Sequence, residues 1–214
     1  MKAEATERCA QDGLFYLRFV KTRDEADPTL SVKPFPVQLD YIQALWTVVT
    51  EADRIAIAKS RQMLVSWFLC SFATWWARFK SNQLILWQTQ TWPDATEKTA
   101  GPKGAKMGRC HFIEANLPSW LREPKLSCSE GILDYPNGSR IQALPGGADK
   151  IRGLTASVII EDEMAMQPEA RGVYAAAAPL IQKGCKFIAC STPNGVGNIF
   201  ADIYHGYDTR LGRA

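Results

Sequence analysis

At 214 residues, with 46% hydrophobic and 22% charged side chains, the chain has the composition of one well-buried globular domain, or one domain with an extra lobe. A net charge of +3 is too small to argue for nucleic-acid binding by itself and permits only a local basic patch. The six cysteines show neither C-x-x-C spacing nor the density of a disulfide scaffold, no apolar run approaches the length of a membrane span, and the first thirteen residues are too polar for a signal peptide.

Residues 1–33 are mixed in character and carry a charge-rich loop, KTRDEADPT. KPFPVQLDYIQALWTVV then reads as a Pro-bounded extended entry followed by a helix over about residues 39–49, apolar at Leu39, Ile42, Leu45, Trp46 and Val49. RIAIA is a short buried strand, and LVSWFLCSFATWWARF, apolar nearly all round, is expected as a buried helix. QLILW is the next strand. The stretch after it is broken by Gly101, Pro102 and Gly104, so helical pieces are expected around a loop. LSC, GILDY and SRIQALP are short strands, the last two joined by a Pro-Asn-Gly turn. SVIIEDE is another buried strand, PEARGVYAAAAPLIQK a helix and KFIAC a strand. Cys70, Cys185 and Cys190 lie in or beside these apolar segments and read as small core residues.

Strands and helices alternate, and the strands are continuous apolar runs. That pattern predicts a mostly parallel sheet covered on both faces. Ligands of such sheets bind at the carboxyl ends of the strands. Polar clusters stand there: Lys59-Ser60-Arg61-Gln62 after RIAIA, Glu161-Asp162-Glu163 after SVII, and Ser191-Thr192-Pro193-Asn194-Gly195 after KFIAC.

AIAKSRQMLVSWF (56–68) runs from a strand through a polar loop into a helix, where unpaired N–H groups and the positive dipole end suit a phosphate. The usual pattern G-x-x-x-x-G-K-[ST] wants a glycine and a lysine where Leu64 and Val65 stand, while Ser66 occupies the hydroxyl position. Lys59 leaves from the strand end, and its flexible stem is long enough to fold back over phosphates. The bland alternative is a strand–turn–helix with a surface lysine. In VIIEDE, Asp162 is assigned to Mg²⁺, which wants few protein carboxylates beside phosphate and water, and Glu163 to the attacking water. A solvated acidic strand end is the alternative. In STPNG, the Ser191 and Thr192 hydroxyls suit contact with a γ-phosphate or with Glu163, and the Pro-Asn-Gly turn carries Asn194; an ordinary loop is the alternative.

AKSRQMLVSW, IRGLTASVIIEDEMA and ACSTPNG, in this order, resemble the ATPase domain of the large terminase subunit, the DNA-packaging motor of tailed bacteriophages. Some members carry an altered phosphate loop with the lysine at its start, which matches Lys59. FPVQ, with Gln38 before a helix, resembles the family's adenine-contacting glutamine motif, and LPSWL and YPNGSRIQALP also resemble family segments. The likeness covers about residues 33–200. It implies an ASCE-type P-loop NTPase fold: an N-terminal extension over 1–33 and an ATPase domain over 34–214, with the family's RNase H-like nuclease absent from this chain. By the same likeness, the nucleotide-binding residues are Gln38, Lys59, Ser60, Arg61, Gln62, Met63, Leu64, Val65 and Ser66. Asp162 and Ser66 hold the metal, Glu163 is catalytic, and Ser191, Thr192 and Asn194 belong to a coupling motif. Arg152 is the first candidate for an arginine supplied to a neighbour's site, and Arg61 the second, acting in its own site. An ion pair with a nearby acid such as Asp149 is an equally open reading of Arg152.

The resemblance implies Mg²⁺-dependent ATP hydrolysis coupled to movement of double-stranded DNA. The motor would be a homo-oligomeric ring with a portal protein and a small terminase subunit as partners, in the host bacterial cytoplasm, with no membrane contact. A helicase-like ATPase and a nucleotide-binding structural module with weak catalysis are the alternatives. Lys98, Lys103, Lys106 and Arg109, followed by Arg122 and Lys125, form a basic run suited to DNA phosphates, though a solvated face is the simpler reading. Trp46, Trp67, Trp75, Trp76 and Trp87 are expected in the core, and His111 and His205 have no partners at metal-ligand spacing.

Overall fold

A computed structural model describes residues 2–24, 27, 29, 31–104 and 106–206. Helices α1 (Lys2–Gln11) and α2 (Gly13–Leu17) precede a small antiparallel hairpin, β1 (Lys21–Arg23) with β2 (Val32–Pro34). Next come α3 (Asp40–Glu51), β3 (Arg54–Ala58), α4 (Val65–Phe79), β4 (Leu84–Gln88), α5 (Trp92–Lys98) and α6 (Arg109–Asn116). Strands β5 (Ser127–Ser129), β6 (Ile132–Asp134), β7 (Arg140–Leu144) and β8 (Val158–Asp162) follow, then α7 (Ala170–Gln182), β9 (Lys186–Ser191) and α8 (Ile199–Tyr204). Among the described residues no helix is long and apolar enough to cross a membrane.

Seven strands form one sheet in the order β3-β9-β8-β4-β7-β6-β5. The first five run parallel, and the β6–β7 hairpin with β5 adds an antiparallel flank. β8 and β9 are buried along their whole length, as the unbroken apolar runs VII and FIAC require. The two faces of the sheet pack into two separate clusters. Ile57, Ile85, Trp87, Ile160 and Ile188 lie under α4, and Leu86, Ile159, Phe187 and Ala189 lie under α7. Helix α4 is wrapped by protein on nearly every side, which explains its lack of a polar face; Phe68, Leu69 and Phe72 are fully buried. Each such side chain contributes about 1.5–3 kcal/mol by leaving water.

The first segment of the chain folds onto this core rather than away from it. Cys9, Tyr16, Leu17 and Val20 are buried in the α4 cluster, and the Trp75 indole donates to the Cys9 carbonyl at 2.8 Å. Gly13 permits the approach of α2 to α3: a Cβ there would lie 1.6 Å from the Trp46 ring. Trp46 in turn meets Phe68, Phe72 and Trp75 edge-on. Trp67 and Trp87 are buried as expected, and so are Cys70, Cys185 and Cys190. In-register pairing of Ala58 with Ser191, of Asp162 with Cys190 and of Glu161 with Gln88 brings the carboxyl ends of β3, β9, β8 and β4 to one rim.

Candidate functional site

The loop 59–64 leaves β3 at this rim. Its first peptide continues the sheet, with Lys59 N donating to the Ser191 carbonyl at 3.0 Å. The chain then turns through two left-handed residues, Gln62 at φ 64° and Leu64 at φ 56°. This region is open to glycine and costly for leucine. The sequence lacks the glycine, yet the backbone holds the conformation that glycine favours. Leu64 is the N-cap of α4 and makes no side-chain cap bond, so the first-turn N–H groups of a fifteen-residue helix face the rim without a side-chain acceptor on the cap. The Tyr41 hydroxyl donates to the Met63 carbonyl at 3.1 Å and ties the loop to α3. Val65 points into the core at 4% exposure, and Ser66 points to the rim.

Lys59, Ser66, Asp162 and Glu163 meet there. Ser66 Oγ donates to Asp162 Oδ2 at 2.9 Å. Lys59 Nζ lies 2.7 Å from Glu163 Oε1 and 3.4 Å from Asp162 Oδ1. Burial disfavours the Lys59 ammonium, but the carboxylates of Asp162 and Glu163 outweigh it and raise the pKa above the ordinary lysine value. Glu163 is itself left-handed, at φ 57° and ψ 38°, with its N–H donated to Asp162 Oδ1 at 3.1 Å. Its other carboxylate oxygen accepts from Thr192 N at 3.3 Å. The loop after β9 clamps the same turn. Ser191 Oγ accepts from Ala165 N at 3.1 Å, and Asn194 Nδ2 donates to the Ala165 carbonyl at 3.2 Å. Three polar segments separated by long stretches of sequence are thus linked by direct bonds.

A cleft of about 960 Å³ opens above them, lined by residues 59–67 with Asp162 and Glu163. Its outer wall includes Arg23, Lys98 and Arg109. The basic run read from the sequence therefore divides. Lys98 and Arg109 turn into the cleft, while Lys103 and Lys106 stay on the surface. Arg109 is buried, with its guanidinium 5.2 Å from the Trp67 ring centroid and 3.6 Å from Glu97. Arg23, which no motif signals, is buried 4.8 Å from the Phe112 ring centroid. The β1–β2 hairpin brings it in, and a three-residue strand leaves little pattern to read. Gln38 is exposed at the foot of α3 and does not line the cleft. Arg61 lines it; Arg152 does not, and pairs on the surface with Asp149 at 2.9 Å.

The Ser66 hydroxyl and the Asp162 carboxylate are hard oxygen donors placed side by side, a set that fits Mg²⁺. Glu161 is the acid of the EDE run that faces the other way. It is fully buried on the α7 side, where burial, offset in part by a hydrogen bond from Gln167, pushes its pKa up to about 8.

A parallel sheet flanked by helices, with a strand–loop–helix turn and an acidic strand end at one rim, is the P-loop NTPase fold. No protein-family model matches the chain. Among solved structures, it is similar to the large terminase ATPase domain of Thermus phage P74-26, with a TM-score of 0.53 and 19% identity over 70% of this chain and 63% of that one. It is also similar to the large terminase of bacteriophage HK97, with a TM-score of 0.64 and 11% identity over 92% of this chain and 40% of that one. The chain thus spans less than two thirds of either protein, and the likeness is one of fold.

Proposed function

We propose that this chain is the ATP-hydrolysing motor domain of a viral terminase large subunit, which drives double-stranded DNA into a procapsid. The observation that carries the reading is the convergence of Lys59, Ser66, Asp162 and Glu163 at the mouth of a cleft in a fold shared with two terminase proteins. In this reading the N–H groups of the loop and of α4 take the phosphates of ATP. Ser66 and Asp162 hold Mg²⁺, which offsets phosphate charge when bound. Lys59 exchanges its bond to Glu163 for phosphate oxygens, a short swing for a long stem. The freed Glu163 carboxylate accepts a hydrogen bond from the attacking water and aims it at the γ-phosphorus.

Thr192 N–H on Glu163 and the Ser191 and Asn194 bonds to Ala165 make the loop after β9 the element that moves when Glu163 changes partner. Arg61, in the cleft, suits a role in its own site. Arg152, exposed away from it, suits service to a neighbouring subunit in a ring at the portal, in the host cytoplasm, with the small terminase subunit as a further partner.

The experiment is steady-state ATP turnover and nucleotide binding for wild type and Glu163→Gln. The variant is expected to bind Mg·ATP within a few-fold of wild type while turnover falls by about two orders of magnitude or more. Wild-type turnover in Glu163→Gln removes Glu163 from the chemistry. A wild-type chain that binds ATP without hydrolysing it is instead a binding module.

A further inference from the structure

Gln88, Glu161 and Gln167 form a buried polar row on the α7 face of the sheet, behind the cleft. Leu86 and Ile159 are in-register partners under α7, so Gln88 and Glu161, two residues further on and also paired, face the same side. Gln88 and Glu161 are fully buried, and Gln167 is 9% exposed. None of the three lines the cleft, and the cluster around them is apolar. Buried amides and acids in such a place are held by the bonds they make.

Those bonds run in two directions. Gln167 Nε2 donates to Glu161 Oε2 at 3.2 Å and to the backbone carbonyl of Asp162 at 3.0 Å, which grips the strand end that carries Asp162 and Glu163. Gln88 Nε2 donates to the carbonyls of Pro145 and Gly147, at 2.6 and 3.3 Å. These two carbonyls open the loop that leads to Arg152, and the left-handed Gly147 and Gly153 bracket it. Ile151, beside Arg152, is fully buried in the same cluster. Between the two halves, Gln88 Oε1 and Glu161 Oε1 are buried on adjacent strands and have no protein partner among the described residues.

We infer that Gln88, Glu161 and Gln167 are positioning residues that link the acidic strand end to the loop presenting Arg152. A shift of Asp162 and Glu163 on nucleotide binding then reaches the arginine that the same subunit offers to the next site. The inference rests on the ATPase reading proposed above and adds a route by which one site reports to another.

The test is a double-variant cycle on ATP turnover with the whole chain at a concentration where it assembles. Gln88→Leu removes both loop bonds at similar volume, and it is expected to lower kcat about tenfold while KM for ATP stays within twofold. Arg152→Ala also lowers kcat, and Gln88→Leu added to it should lower kcat no further. Glu161→Leu should behave as Gln88→Leu does. Glu161→Gln, which keeps an acceptor for Gln167 and replaces the carboxyl O–H with an amide donor, should recover most of the loss seen in Glu161→Leu. Independent effects of Gln88→Leu and Arg152→Ala that multiply overturn the relay, as does a Gln88→Leu variant that raises KM with kcat unchanged. Failure of Glu161→Gln to recover activity overturns Glu161's part. Absence of turnover in wild type, by contrast, fails the ATPase reading itself.

Discussion

Leu64 stands where the G-x-x-x-x-G-K-[ST] pattern has its second glycine, and its backbone at φ 56° is left-handed. For an L-residue with a Cβ this conformation costs roughly 1–2 kcal/mol. Its half-buried side chain packs against the α4 cluster, which offsets part of that cost. A comparison of two truncations separates the effects, since both lose the packing and only one keeps a Cβ. Leu64→Gly should be more stable than Leu64→Ala by about 1 kcal/mol, the reverse of the usual order in a chain segment. Denaturant unfolding of the pair measures it, and a more stable alanine variant would show that the turn is not strained. Glu161 carries a second residue-level prediction. Its pKa is about 8 in the fold against an ordinary 4.5. The folded state therefore keeps a proton that the unfolded chain gives up above that ordinary value. Its contribution to stability is full below pH 4.5, declines as pH rises and is lost through pH 8. Glu161→Gln removes this titration. The Tm of the variant should gain on wild type as pH rises from about 5 to about 8.5; parallel curves would mean that Glu161 does not titrate there. Asp162 and Glu163 were legible as a strand-end pair because apolar-to-acid junctions are local. The inward turn of Glu161 was not, since it depends on Gln88 of β4 and on the cluster under α7, which come from other parts of the chain.

Helix α4 and the elements around it show where pattern reading succeeds. An all-round apolar stretch of this length is a buried helix, and its fifteen residues are buried on nearly every side. Strands β8 and β9 were legible for the same reason, as uniform runs bounded by polar residues. Helix α2 and the β1–β2 hairpin were not. Five and three residues are too few for a period to register, and their place is set by tertiary contacts such as Gly13 against Trp46. Consequently the Arg23 wall of the cleft escaped notice. The loop–α4 junction also decides what a lysine at the usual motif position would do. Val65 is 4% exposed in the core cluster and is the first residue of α4. Val65→Lys places a cation at the positive end of the helix and draws its stem out of the core. The variant should lose about 2 kcal/mol of folding stability, read from denaturant midpoints, and gain no affinity for ATP. Wild-type stability with tighter ATP binding would show instead that the loop accepts the usual lysine, and that Lys59 is not required to replace it.

At the scale of the whole molecule, the cleft holds Lys59, Ser66, Asp162 and Glu163 but leaves Arg152 outside, with its side chain 68% exposed and paired with the still more open Asp149. An exposed pair of this kind contributes little to stability, so the arginine is cheap to redirect to another acceptor. If it completes a neighbour's site, two impaired variants should restore each other. Arg152→Ala retains a full set of cleft residues and offers nothing to its neighbour. Glu163→Gln offers the arginine and cannot turn over ATP in its own site. In a random equal mixture, about a quarter of the sites combine an intact Glu163 with an intact Arg152 from the adjacent subunit, half times half. Turnover of the mixture should therefore rise well above the mean of the two variants measured separately, toward a quarter of the assembled wild type. Dilution should abolish the gain, because the complete site exists only across a contact. A mixture that matches the mean at every concentration would place Arg152 outside any shared site and leave Arg61, already in the cleft, as the arginine that offsets charge on the γ-phosphate.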